Sequence, residues 1–168
     1  METSNKNFLP IAFQYGIILA MLRIVLDFGL KMMDVSAMMY YMGYAIGFIL
    51  EIVLIFITIK LFRDKFNNGL LSFSEAVKIG IVMMIIVGIG LFISMSFIDE
   101  DFQMRKAIEM VEQYQPDQLD ETIEKMEEGK KNPKYFMSFG IFLIYFIFLG
   151  FLISAISGAI LGKKEDQF

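Results

Sequence analysis

Residues 135–162 read YFMSFGIFLIYFIFLGFLISAISGAILG, 28 positions without a charged side chain. A helix rises ~1.5 Å per residue, and about 20 apolar residues cross the hydrocarbon core of a bilayer. This run is longer than one crossing needs, so tilt or protrusion has to absorb the excess. A helix apolar on every face needs burial on every face, and a soluble chain of 168 residues has too little protein to provide it. Working outward, residues 79–98 add 20 uncharged positions, and residues 35–59 add 25 interrupted only by Glu51. The whole chain is 57% hydrophobic with a mean hydropathy of +0.60, above the ~45–50% apolar content of soluble domains.

These runs predict an all-α fold: a four-transmembrane-helix bundle with an extracytoplasmic helical hairpin between the third and fourth spans. Residues 1–168 form a single integral membrane domain, with spans at about 9–33, 36–61, 73–98 and 135–162 and the soluble hairpin at 99–134. Pro10 suits a first helical turn, where its missing N–H costs nothing. Tyr40, Tyr41 and Tyr44 open the second span, as interfacial aromatics do. Asn68-Gly69 breaks the chain, and Ser72-x-x-Glu75 then has the spacing of a capping box. In the hairpin, Met104, Ile108 and Val111 share one helical face, and Leu119, Ile123 and Met126 share another. Pro116 opens the second hairpin helix, Gly129 can close it, and Glu121 and Lys125 form an i,i+4 pair. Three apolar residues per helix make no independent core. The hairpin must rest on the bilayer, on the helix ends or on a protein partner.

The chain contains neither Cys nor His. That excludes disulfides, thiol nucleophiles, Cys/His zinc sites and imidazole acid–base chemistry. No cofactor, no metal and no enzymatic activity are expected. The net charge is −4, and residues 99–134 alone carry eleven acids against six bases. Nothing resembles a nucleic-acid-binding patch. No small-x-small cleavage site follows the first apolar run, so the first span is expected to stay in the mature protein. Leaving out Arg23, which lies inside a span, Lys and Arg divide seven against seven between the two sides, with Lys6, Lys60, Arg63, Lys65, Lys78, Lys163 and Lys164 on one. Short segments weigh most in the positive-inside rule, and they favour this set. Both termini are therefore expected on the cytoplasmic side of a bacterial inner membrane, with the acidic hairpin outside.

The polar residues inside the spans are the candidates for function. Arg23, Asp27, Lys31 and Asp34 share one face of the first span. Eleven Leu, Ile, Val or Phe among residues 11–30 each contribute roughly −0.3 to −0.6 kcal/mol to insertion, while Arg23 and Asp27 each cost up to about +3. The first span is marginal alone and depends on its neighbours. Arg23 and Asp27, one turn apart, can pair near the helix end; the alternative is that the stripe lines a polar entrance between helices. Counting depth from the helix ends brings Glu51, Lys78, Gln14, Ser154 and Ser157 to a similar level in the inner half. Such a cluster is either interhelical glue or a proton or ion relay.

Small residues recur every fourth position at Gly150, Ser154, Gly158 and Gly162, and at Gly43 and Gly47. Such faces let helices approach closely, within one chain or across a homo-oligomer. Met32, Met33, Met38, Met39 and Met42 cluster near the first turn as pliable packing rather than a Cu(I) site. Asp99-Glu100-Asp101 lacks EF-hand spacing and reads as a solvated acidic turn.

The stretch LLSFSEAVKIG leading into a span, with Ser72, Phe73, Glu75, Ala76, Lys78 and Gly80, resembles a bacterial membrane family, domain of unknown function 4199. The N-terminal YGIILAML, the acidic insertion QPDQLDETIEKMEEG and the ending ISAISGAILGKK are similar to its layout over nearly the whole chain. The resemblance implies four transmembrane helices and brings no activity with it. Two roles are then expected to compete. One is a non-enzymatic scaffold or interaction protein in the lipid bilayer, presenting the hairpin to a protein partner. The other is a small carrier or channel-like unit, which would need a homo-oligomer.

Overall fold

A computed structural model describes residues 7–97, 101–131 and 135–162, and its regular elements are all helices. α1 spans Leu9–Met32, with Pro10 in its first turn and the Leu9 N–H donating to Asn7 Oδ1 at 3.0 Å. Asp34, with φ of 42°, turns the chain into α2, Ala37–Leu61, which continues through a wider π turn over Phe62–Phe66. Asn68 and Gly69 take left-handed φ of 53° and 82°, a conformation that glycine adopts without steric cost. α3, Phe73–Phe97, then starts on the capping box. Glu75 accepts from the Ser72 N–H at 2.8 Å, and Ser72 Oγ accepts from the Glu75 N–H at 3.2 Å, satisfying two donors at the helix start. α4 covers Phe102–Tyr114 and α5 Leu119–Lys131, joined by a tight turn at Pro116–Gln118. α6 is Tyr135–Leu161.

α1, α2, α3 and α6 are each long and apolar enough to cross a membrane. α3 packs chiefly on α6 and α1, and α2 packs on α1 and α6, so the order around the bundle is α1, α2, α6, α3. The closest seam joins α3 to α6. A Cβ on Gly150 would lie 2.8 Å from Gly80 O, and one on Gly158 would lie 2.8 Å from Ala76 Cβ. The small-residue stripe of α6 is thus filled by α3 of the same chain. Gly43 likewise faces Leu30 of α1. Gly162 departs from expectation: the helix ends at Leu161 and Gly162 is exposed, so the seam stops at Gly158. Leu19, Ile55, Ile59, Ile79, Met83, Met84 and Val87 fill the core.

α4 lies across one end of the bundle, and α5 packs mainly on α4 and the joining turn. The buried residues of α4 are Phe102 and Lys106, one turn apart. Met104, Ile108 and Val111, expected as its apolar face, are only half-buried. The reason is that α4 docks on helix ends that present charge as well as hydrocarbon. Phe102 packs edge-on against Tyr40, ring centroids 5.0 Å apart, and beside Val35. Asp99 and Glu100 of the expected acidic turn lie outside the described residues; Asp101 is exposed and precedes α4.

Candidate functional site

The charged face of α1 meets a second stripe on α2. Tyr40, Tyr44, Gly47 and Glu51 recur at helical spacing on that helix. Gly47 lacks a Cβ, and the Arg23 guanidinium occupies the space a Cβ would take. That notch lets Arg23 reach Glu51, with Nε 3.1 Å from Oε1 and both residues buried at 7% and 2% exposure. The guanidinium carbon also stands 5.6 Å from the centroid of the Tyr44 ring, within cation–π range. Glu51 lies ~15 Å along α2 from Leu61 and ~21 Å from Ala37, deep in a spanning-length helix.

The remaining charges of the α1 face find other partners. Asp27 Oδ2 is 2.7 Å from Lys31 Nζ, and Asp27 Oδ1 accepts from Tyr40 OH at 3.1 Å. Tyr40 and Tyr44 share a hydrogen bond of 3.2 Å, and Gln103 of α4 donates to Tyr44 OH at 2.8 Å. At the end of the bundle, Lys106 Nζ is 3.1 Å from Asp34 and 3.0 Å from Glu109. Glu109 accepts from the Ala37 N–H at 2.8 Å, placing a carboxylate at the start of α2, where the helix dipole favours it. The Ala37 N–H, and then the Lys106 ammonium, hold the Glu109 carboxyl below the ordinary glutamate range. Glu109, and then Asp34, push Lys106 above the ordinary lysine range.

Several expectations fail in specific ways. Arg23 pairs with Glu51 and not with Asp27, which Lys31 takes at the same one-turn spacing. Lys78 is exposed and does not join Glu51. It lies only one turn into α3, from where a long side chain can reach the helix end. Gln14 is exposed as well. Ser154 and Ser157 are buried, but their hydroxyls donate within their own helix, to Gly150 O and to Ile153 O. The predicted four-helix cluster is therefore not assembled: buried Arg23, Lys31 and Lys106 lie toward the end covered by α4, and Glu51 lies nearer the middle of α2. Sequence reasoning missed Tyr40 and Tyr44 as core polar groups, and with them Gln103, Lys106 and Glu109. The Tyr40-Tyr44-Gly47-Glu51 spacing was the available signal for the first two.

A cavity of 310 Å³ opens beside the Arg23–Glu51 pair, lined from all four long helices. Arg23, Asp27, Glu51 and the tyrosines Tyr44 and Tyr145 are its polar members, and Phe48, Phe142 and Phe146 are among its apolar walls. Arg23 Nε and Glu51 Oε1 make no hydrogen bond: they sit at ion-pair distance, out of hydrogen-bond alignment. Among the described residues no group of three Asp or Glu is placed to hold a metal ion.

Fold and site together define a class: a protein whose regular elements among the described residues are helical, with four membrane-compatible helices among them, a buried ion pair beside a cavity, and a helical hairpin docked over one end. The chain belongs to the family described as protein of unknown function, DUF4199, which matches residues 11–163. No curated protein and no solved structure matches it.

Proposed function

We propose that this protein is a non-enzymatic scaffold of the bacterial inner membrane, both termini cytoplasmic, that presents α5 outside the cell membrane to a basic protein partner. The observation carrying this is the division of labour in the hairpin. α4 is clamped to the bundle by Phe102, Gln103, Lys106 and Glu109, whereas α5 packs on little beyond α4. Asp117, Asp120, Glu121, Glu124, Glu127 and Glu128 are exposed, and half-buried Leu119, Ile123 and Met126 lie on the same helix or its start. An acidic rim with apolar residues beside it suits a partner with basic residues around an apolar patch. The bases of the short segments, Lys60, Arg63, Lys65 and Lys78, support the orientation.

The chain has no cysteine, so Glu124→Cys supplies a unique handle. A membrane-impermeant maleimide should label it in intact cells stripped of the outer layers, and a short crosslinker should trap one discrete adduct. Reversing Asp120 and Glu127 to Lys should abolish the adduct, while Ile144→Cys, in the apolar surface of α6, should give none. Labelling only after lysis would reverse the orientation. Identical adducts from both positions would remove the scaffold reading.

The charged pair beside the cavity favours the carrier reading as a second possibility. Toward the far end, however, Leu19, Ile55, Ile59, Met83 and Met84 close the bundle. Transport would need those residues to separate. It predicts an ion or proton flux in proteoliposomes that Glu51→Gln alters, and a parent protein without flux excludes it.

A further inference from the structure

We infer that the cavity beside Arg23 and Glu51 is a binding site for an uncharged amphiphile from the bilayer, one whose head carries a hydroxyl group next to a second oxygen. Its volume of 310 Å³ falls within the range of small-molecule sites. Two buried side chains of opposite formal charge stand at it 3.1 Å apart, with Arg23 Nε and Glu51 Oε1 out of hydrogen-bond alignment with each other and with the rest of the protein. Buried polar atoms are nearly always satisfied, and those that are not call for a partner.

Charge selects the kind of partner. The ionisable groups at the cavity or paired with its lining are Arg23, Asp27 and Lys31 from α1 and Glu51 from α2, and their formal charges cancel. α3 and α6 contribute Leu91, Met95 and residues such as Phe142 and Tyr145, none ionised. A charged head would leave one buried charge unmatched, which low-dielectric surroundings penalise heavily. A neutral head avoids this. Its hydroxyl can donate to the Glu51 carboxylate while an adjacent oxygen accepts from the Arg23 guanidinium.

Geometry selects the route. The exposed members of the lining are Ala45 and Phe48 on α2 and Tyr145 on α6. The rim therefore lies between α2 and α6, on the flank of the bundle. Tyr40, Phe102 and Gln103 cover the adjacent end. A ligand entering through the flank comes from the hydrocarbon phase, its head against the ion pair and its chain leaving between the two helices. The aromatic walls suit a hydrocarbon chain or a ring. A monoglyceride and an alkylated catechol share the required chemistry, so both are tested.

The whole chain in phosphatidylcholine nanodiscs would be titrated with 1-monooleoylglycerol, 4-decylcatechol and, at pH 8, oleate, with bound ligand counted by native mass spectrometry. One saturable site per chain for at least one neutral probe is expected, with oleate at least tenfold weaker. The tighter neutral probe identifies the source. Ala45→Phe, at an exposed rim position, should weaken binding at least tenfold without moving the thermal midpoint. Arg23→Met/Glu51→Leu should bind methyl oleate and monooleoylglycerol equally. Oleate binding as tightly as the neutral probes, unsaturable uptake of all three, or unchanged binding by Ala45→Phe would each overturn the inference.

Discussion

Gly47 shows how one missing atom positions a charge. The Arg23 guanidinium lies where a Gly47 Cβ would be, so Gly47→Ala must displace it from Glu51. Overpacking alone costs ~1–3 kcal/mol, and loss of a buried pair's geometry adds to it, so destabilisation of about 3 kcal/mol is expected in detergent unfolding monitored by circular dichroism. Gly140 on α6 has no atom near its Cβ position, and Gly140→Ala should be neutral or gain up to ~1 kcal/mol. A comparable loss from both substitutions would show that the notch is not special. The ion pair supplies a second test. Glu51→Gln strands the Arg23 charge and should cost ~3–5 kcal/mol, whereas Arg23→Met/Glu51→Leu should cost less than either single change. Double-mutant analysis of the same unfolding curves measures this. The sequence already marked Arg23 and Glu51 as expensive residues needing partners. It did not say that they were each other's, because Asp27 offered Arg23 an equally plausible spacing.

At the scale of elements, α4 is held by a mixed clamp of ring packing, hydrogen bonds and ion pairs. Phe102 is 2% exposed against Tyr40 and Val35, and Phe102→Ala should cost ~3 kcal/mol, opening the α4–α5 segment to limited proteolysis while α1, α2, α3 and α6 stay helical. The clamp also has a pH window. Glu109 is depressed by the Ala37 N–H and Lys106, so its contribution is complete above the ordinary glutamate pKa of about 4.3 and fades as acidification passes through the lowered value. Lys106 is raised by Glu109 and Asp34, so its contribution is complete below about pH 10 and fades only as pH climbs through the raised value. Protease sensitivity of α4–α5 should therefore rise below about pH 4 and again in strong alkali. Glu109→Gln, which keeps an acceptor for the Ala37 N–H, should flatten the acid limb. The capping box was legible from Ser72 and Glu75 alone, since all its atoms belong to four consecutive residues; Ser72→Ala should cost ~1 kcal/mol. Lys106 was not legible, because Asp34 approaches it from the turn between α1 and α2.

For the molecule as a whole, the decisive feature is an apolar outer surface. Only 22% of the apolar window of α6 is buried, and Val25, Ile144, Ile156 and Ile160 are each more than 60% exposed. A soluble protein does not tolerate so much exposed hydrocarbon. The chain should stay monodisperse on size-exclusion chromatography in detergent and aggregate when detergent is removed; a folded monomer in plain buffer would contradict the membrane assignment.

The four membrane-compatible helices and the helix-start cap were determined by sequence alone. Partition into lipid is a sum over the side chains of one segment, and a cap is made by residues three apart, so neither depends on distant parts of the chain. The α3–α6 seam, the meeting of Arg23 with Glu51, the docking of α4 through Lys106 and the cavity were decided by tertiary structure. Each depends on how one helix is rotated and shifted against another, and close approaches at Gly47, Gly80, Gly150 and Gly158 set that register. A buried charge announces in sequence that it needs a counterpart; only the packed helices determine which one it can reach.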